Sequence, residues 1–206
     1  MERRREARGW VSRIQDICLG LAFLGALTSH VNAQEMAIPV GTQVELIVKI
    51  LSFDRSLKPA LGGKIVMGVL YQSKLRSSTD AMEEVVGTST ELPADGFDSS
   101  RIQCVPLELT SMTDLERELD LNQIDVLYLT PMRAVEISSI LRVTASRRIL
   151  TLTGVPDYVE EGVSVGIGIR GDRPLIMVNL QSTKREGADF NSHLLKLAKI
   201  VPGGRQ

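Results

Sequence analysis

KIVMGVLY, residues 64–71, is the stretch that decides the fold. Both alternating sets of positions are apolar: Ile65, Met67, Val69 and Tyr71 on one side, Val66, Gly68 and Leu70 on the other. A strand with one wet face alternates, whereas a continuous apolar run of strand length suits a strand covered on both faces, as in a parallel sheet. Pro59 and Gly62-Gly63 break the chain before it.

Working outward, strand-like and helix-like segments take turns. Upstream, residues 42–53 (TQVELIVKILSF) place Val44, Ile47, Val48 and Leu51 on one helical side, with Glu45 four residues before Lys49. Downstream, DAME (80–83) offers Asp80 as a helix cap with a carboxylate three residues on, ahead of a stripe of Met82, Val85 and Val86. RIQCVPLE (101–108) reads as a second strand, which Pro106 confines to an edge or ends early. Thr113 with Glu116 fits a capping box, and Met112, Leu115 and Leu119 supply that helix's buried side. IDVLYLT (124–130) is a third strand, stopped by Pro131. RAVEISSILRVTA (133–145) follows as a helix with Ala134, Ile137 and Leu141 inward, and RILTLTG (148–154) as a fourth strand. Such alternation is the signature of right-handed crossovers and a parallel sheet.

After Gly154 the rhythm changes. VSVGIGIR and RPLIMVNL flank Gly171-Asp172, the pattern of a hairpin. Residues 181–192 contain a short helical turn, a break at Gly187, and Asn191 or Ser192 as cap of a closing helix. Leu194, Leu197, Ala198 and Val201 then fall at i, i+3, i+4 and i+7, one apolar stripe that can cover a bare part of the sheet. The expected fold is therefore α/β: a mostly parallel sheet with helices on both faces, ending in an antiparallel hairpin and a C-terminal helix. With no internal repeat or linker, residues 34–206 are expected to form one domain.

The chain is 43% hydrophobic and 24% charged, with a formal net charge of −1, which fits a folded globular protein and lacks the basic footprint of a nucleic-acid binder. Residues 1–33 differ from the rest. Arg3, Arg4, Arg5, Arg8 and Arg13 precede the apolar run ICLGLAFLGAL, and small residues follow up to Ala33. That order reads as a signal peptide cleaved near Ala33, and the run is too short for a stable membrane span; an uncleaved anchor or a buried core helix is the competing reading. Cleavage removes Cys18 and leaves Cys104 alone, so no internal disulfide is expected, and Cys104 reads as a small buried hydrophobe.

A search for chemistry finds little. After cleavage the one histidine is His193, beside the apolar stripe of the closing helix. No Cys or His pair offers a metal site, and Glu83-Glu84 and Glu160-Glu161 read as solvated faces. GIGIRG, from Gly166, lies in strand character with no helix directly after it, so it fails the context of a dinucleotide loop. No catalytic residue, metal or cofactor is expected. Topology leaves the carboxyl ends of the strands as the binding region: Tyr71, Gln72 and Ser73, then Leu109, Thr110 and Ser111, then Thr130 and Pro131 with Arg133, then Thr153 and Gly154. Their hydroxyls, amide and guanidinium can grip a small solute or a protein loop, and are equally ordinary turn formers.

Residues 149–201 resemble the YfiR/HmsC-like family of bacterial periplasmic proteins. The family's tail has a "vLtVsd" strand, a Gly-led strand, an "xFxIN" strand and a closing "SxLLxLAxIV" helix. The counterparts are residues 149–153, a strand from Gly162 to Ile169, one from Ile176 to Leu180 containing Asn179, and Ser192, Leu194, Leu195, Leu197 and Ala198 in the closing helix. Asn179 itself reads as the cap of the turn at 181–184. Departures are plain: Asp125 and Val126 stand where relatives often carry Cys-His, Val163 replaces the second Gly, and Met177-Val178 precede the Asn. The resemblance implies a non-catalytic periplasmic regulator that binds the sensor region of an inner-membrane signalling protein, a diguanylate cyclase or histidine kinase. It would modulate or repress cyclic di-GMP or related signalling; a homodimer is compatible with it. The alternative is a single-lobe periplasmic small-solute-binding protein.

Overall fold

The expected doubly covered strand is present: β1 (Ile65–Tyr71) runs parallel to β2 (Ile102–Glu108) on one side and to β3 (Val126–Leu129) on the other. This computed structural model describes residues 36, 38–57, 64–91 and 102–203. The expected signal peptide, Cys18, His30, Pro59 and Gly62-Gly63 lie outside the described residues.

Beyond β3 the sheet continues through β4 (Leu150–Thr153), β5 (Val165–Arg170), β6 (Arg173–Asn179) and β7 (Lys199–Val201), in the order β2-β1-β3-β4-β5-β6-β7. Among the strands of the described residues, only β5 and β6 pair antiparallel. They form the hairpin around Gly171-Asp172, with Gly171 at φ +63°, the backbone that a tight turn reserves for glycine at its first position. Pro106 is tolerated because β2 is an edge: it pairs with Val69 and needs no donor on its outer side.

Seven helices flank the strands among the described residues. α1 (Val40–Ser52), α2 (Arg76–Glu91) and the closing α7 (Ser192–Leu197) cover one face. There Val44, Ile47, Val85 and Leu194 pack on Met67, Val69, Tyr128 and Ile167. α3 (Met112–Leu121), α4 (Ile137–Arg147) and α5 (Pro156–Glu161) cover the other, where Leu115, Leu119, Ile140 and Tyr158 meet Leu70, Leu127 and Leu129. α6 (Leu180–Arg185) links β6 to the closing segment. Each fully buried aliphatic side chain contributes about 1.5–3 kcal/mol, which is why the strands are apolar on both sides. No helix among the described residues is long and apolar enough to cross a membrane.

Several local expectations need correcting. The second helix begins at Arg76, so Asp80 lies inside it, 3.6 Å from the Arg76 guanidinium, and is not its cap. The cap of α3 is Ser111, which accepts from the Asp114 backbone N–H at 3.1 Å while its hydroxyl donates to the Asp114 carboxylate; Thr113 and Glu116 are already helical. α4 starts at Ile137 because Ala134 takes φ +55° in the preceding turn, a conformation no helix can include. Its buried residues are Ile137, Ile140, Val143 and Thr144. The crossover helix α5 was not foreseen; its Pro156 occupies the first turn, where a missing N–H costs nothing.

The largest correction concerns the C-terminus. The closing helix ends at Leu197, Ala198 is extended (φ −85°, ψ 150°), and Lys199–Val201 join β6 as a parallel strand. The helical stripe is therefore split: Leu194 is fully buried, Leu197 is 61% exposed, and Val201 is buried from the strand against Val159 and Met177. Backbone groups of Met177–Asn179 at the rim of the sheet capture the three residues, and three ordered pairings in the ladder outweigh one more frayed helical turn.

Candidate functional site

Strand order reverses between β1 and β3, since β2 returns to one side of β1 while β3 and β4 continue on the other. Loops leaving the carboxyl ends of β1 and β3 therefore diverge and leave a crevice between them. Gln72, directly after β1, spans it. Its amide donates to the Arg133 carbonyl (3.2 Å) and its Oε1 accepts from the Arg133 backbone N–H (2.8 Å). Below, Ser78 Oγ accepts from the Gln72 N–H (2.9 Å) and pairs with Thr130 Oγ1 (2.7 Å), which also donates to the Leu70 carbonyl (2.8 Å).

The resulting cleft, about 430 Å³, is lined by Gln72, Ser73, Lys74, Glu108, Thr110 and Arg133 among others. The Ser73 hydroxyl donates to the Glu108 carboxylate, and Thr110 donates to Asp114 (2.9 Å). Hydrogen bonds from Ser111 and Thr110, with Arg117 beside it, hold the Asp114 carboxyl below its usual range. The wall thus carries both signs of charge and is open to water.

Of the residues anticipated at the strand ends, Gln72, Ser73, Leu109, Thr110 and Arg133 line this cleft. Tyr71 is half-buried, its carbonyl accepting from Leu109 N–H (2.8 Å). Thr130, Thr153 and Gly154 are buried beneath it. Thr153 Oγ1 donates to the Leu129 carbonyl (3.0 Å) and accepts from Val155 N–H (3.0 Å). A Cβ on Gly154 would stand 1.9 Å from Gln43 Oε1 and 2.7 Å from the Tyr128 hydroxyl, so only glycine fits. Tyr128 OH donates to Gln43 Oε1 (2.8 Å) and Gln43 Nε2 to the Ile38 carbonyl (2.7 Å), which pins α1 to the sheet; burial pushes the Tyr128 phenol well above its usual range. On the other face the Tyr158 hydroxyl accepts from Met132 N–H (2.8 Å), and burial pushes it up to about 12.

The C-terminal motif residues hold structure together. Gly162 ends α5 at φ +118°, with Leu141 3.0 Å from where a Cβ would be. Asn179 Oδ1 accepts from the backbone N–H groups of Gln181 (3.2 Å) and Ser182 (3.1 Å), capping α6, while its amide donates to the Val159 carbonyl (3.3 Å). Asn191, not Ser192, caps α7. Leu195 and Ala198 pack partly against the core, and His193 lies on the surface with its ring 5.8 Å from that of Phe53. Burial raises the Cys104 thiol on β2, with a hydrogen bond from Ser89 opposing it.

Two groups that carry unusual chemistry escaped the sequence reading. Glu186, in a polar run after α6, is 3% exposed, and Asp54, after α1, is buried too. Only spacing to distant hydroxyls and amides makes these burials workable, and no local pattern marks it. Among the described residues no three His, Cys, Asp or Glu gather closely enough to hold a metal.

Comparison with known proteins places this geometry. No functionally curated protein matches the chain significantly in sequence. Similar solved structures include the ABC domain in complex with L-Trp from Streptococcus pneumonia (TM-score 0.57, 13% identity, 79% of this chain and 62% of that one). A conserved domain protein from Vibrio cholerae O1 biovar El Tor is similar at TM-score 0.56 and 14% identity, over 79% of this chain and 60% of that one. So is the ligand-free, open form of a substrate binding protein with adhesive properties from Clostridium difficile (TM-score 0.53, 16% identity, 81% and 60%). The chain spans about three fifths of the length of these proteins, and the likeness is one of fold. The family model described as YfiR/HmsC-like matches residues 85–199, from the second half of α2 to the start of β7, and this chain belongs to that family.

Proposed function

We propose that this protein is a non-catalytic regulator exported to the periplasm. There the domain of residues 34–206, freed of a signal peptide near Ala33, binds the periplasmic sensor region of an inner-membrane diguanylate cyclase or histidine kinase and represses it. Family membership over residues 85–199 carries this reading, since it covers the strands and helices that build most of the sheet. Repression of this kind needs no bond-breaking. A rigid surface that prefers one state of the sensor shifts its population by the difference in affinity, about 5.5 kcal/mol for a 1:99 to 99:1 reversal. The rim formed by Gln72, Ser73 and Arg133 is the proposed contact, because its polar groups are exposed while the loops beneath are locked by the Gln72–Arg133 hydrogen bonds.

The test is capture of a membrane signalling protein by the tagged protein from detergent extracts, with cyclic di-GMP measured after deletion of the gene. Capture with a rise in cyclic di-GMP, or in kinase output, supports the reading. No captured sensor and no change in either output refutes it.

A second reading, a single-lobe solute-binding protein, draws on the fold neighbours, one in complex with L-Trp and one a substrate binding protein. The roughly 430 Å³ cleft at the strand-order reversal is large enough for a small polar molecule. Saturable thermal stabilisation by a small metabolite, lost in Arg133→Ala, favours this second reading.

A further inference from the structure

The hairpin of β5 and β6 outgrows its neighbours. β4 pairs with β5 only at Val165 and Gly166, and β7 with β6 only at Met177–Asn179, so residues 167–176 form a two-stranded ribbon beyond both. Because β5 runs parallel to β4, the ribbon extends past the carboxyl ends of the strands, the end of the sheet that also carries the rim of Gln72, Ser73 and Arg133. One face of the ribbon is covered by α5, where a Cβ on Gly168 would lie 3.5 Å from Pro156. Along the outer edge, no strand of the described residues lies beside Arg173–Ile176. Pro174 sits where a strand tolerates a missing N–H, on an edge.

Exposed apolar side chains gather at that edge. Of the four well-exposed large hydrophobic residues among those described, Ile169 is on the ribbon, Leu197 ends α7 and Ile200 lies on β7; Leu121 alone is elsewhere. Ile169 shares a face with Ile167, and Ile200, opposite Val178, lies on the same face, the one α7 covers in part. Such residues scattered singly are ordinary, but grouped around unpaired strand backbone they mark a contact surface. Charge is grouped there too. Arg170 and Arg173 oppose each other at the end of the ribbon and Lys199 opposes Met177 at its base, none of them in an ion pair among the described residues. Asp172 is the one acid between the arginines, and the acids of α5 lie over the other face.

A row of strand backbone is matched by another strand, which pairs with it while laying alternate side chains on the apolar face. Unpaired arginines at one end are matched by carboxylates. We propose that the β6 edge at Arg173–Ile176 takes up an extended segment of the partner's sensor region, apolar where it passes Ile169, Pro174 and Leu197 and acidic where it meets Arg170 and Arg173. This rests on the sensor-binding reading of the protein and names the kind of partner element that docks. Four residues of edge offer about 13 Å of pairing, and β6 lies three strand spacings from β3, about 14 Å, so one partner domain reaches both the ribbon and the rim.

The test uses the purified protein and three fluorescein-labelled peptides, EVTVTVE, KVTVTVK and the proline-broken EVTPTVE, followed by fluorescence anisotropy. Saturable binding of EVTVTVE is expected, about tenfold or more tighter than that of either other peptide. The double variant Arg170→Glu with Arg173→Glu, both at exposed positions, should reverse the preference towards KVTVTVK, which a mere loss of structure would not do. The same variant should capture less of the membrane sensor than the wild type. The proposal is overturned if no peptide binds, if the two charged peptides bind alike, or if the double variant keeps the wild-type preference. It is also overturned if the sensor is captured equally by both proteins, or if sedimentation shows a dimer of this chain that the double variant abolishes while EVTVTVE fails to bind. A wild type that binds EVTVTVE but captures no sensor refutes the regulator reading and supports the edge as a strand-docking site.

Discussion

Replacing Glu186 by Gln should change how stability depends on pH, and the size of the effect follows from its surroundings. Oε2 accepts from Thr151 N–H (2.8 Å) and from the Ser164 hydroxyl, and Oε1 from Thr151 Oγ1 (2.9 Å) and Thr144 Oγ1 (3.4 Å). These donors favour the ionised form, but burial opposes it and wins, lifting the carboxyl from its ordinary 4.5 to about 7. At roughly 1.4 kcal/mol per pH unit, that gap is worth about 3 kcal/mol. The folded state holds the proton more tightly than the unfolded chain. The stabilisation is therefore full below about pH 4.5 and is lost as pH rises through about 7. Gln places a carbonyl where Oε2 takes two donors and an amide where two threonine oxygens can accept, so it keeps the packing without the titration. Urea unfolding of both proteins, followed by circular dichroism at several pH values from about 5 to 8, isolates the group because other titrations cancel in the difference. The wild type should lose roughly 2–3 kcal/mol relative to Glu186→Gln across that range. A flat difference, or a wild type that gains on the variant as pH rises, refutes the claim that burial outweighs the hydrogen bonds.

Three further outcomes test the packing. Gly154→Ala drives a methyl group into Gln43 and the Tyr128 hydroxyl and should destabilise by about 1–3 kcal/mol or more in urea unfolding. Leu194→Ala should cost about 2–5 kcal/mol and Leu197→Ala less than about 0.5, a contrast readable as unequal drops in melting temperature; equal drops would mean the helix continues past Ala198. Asn179→Ala removes the cap of α6 and an amide bond to Val159, so about 1–2 kcal/mol should be lost, with faster amide hydrogen exchange at Gln181 and Ser182.

The cleft between β1 and β3 was legible in outline. Gln72, Ser73 and Arg133 follow apolar runs at the points where strands must end, and parallel topology puts those ends together. Their mutual geometry was not, because Gln72 and Arg133 are 61 residues apart and their hydrogen bonds exist only once β3 lies beside β1. That Thr130, Thr153 and Gly154 are buried was hidden for the same reason. Whether a residue at a strand end points into a cleft or under a helix depends on where α1 crosses, and that crossing is fixed by Gln43 and Tyr128.

By itself the sequence determined the local choices: runs apolar on both sides became buried strands, Gly171-Asp172 closed a hairpin, Pro106 marked an edge, and Asn179 capped a turn. Each rests on contacts within a few residues or on a periodicity that survives any arrangement of neighbours. Tertiary structure alone decided the rest. Residues 199–201 carry helical spacing yet became a strand, because the open rim of β6 supplied hydrogen-bond partners that solvent-exposed helix could not better. Asp54 and Glu186 lie inside although no local pattern marks them, since what a charge costs is set by the groups the fold brings around it.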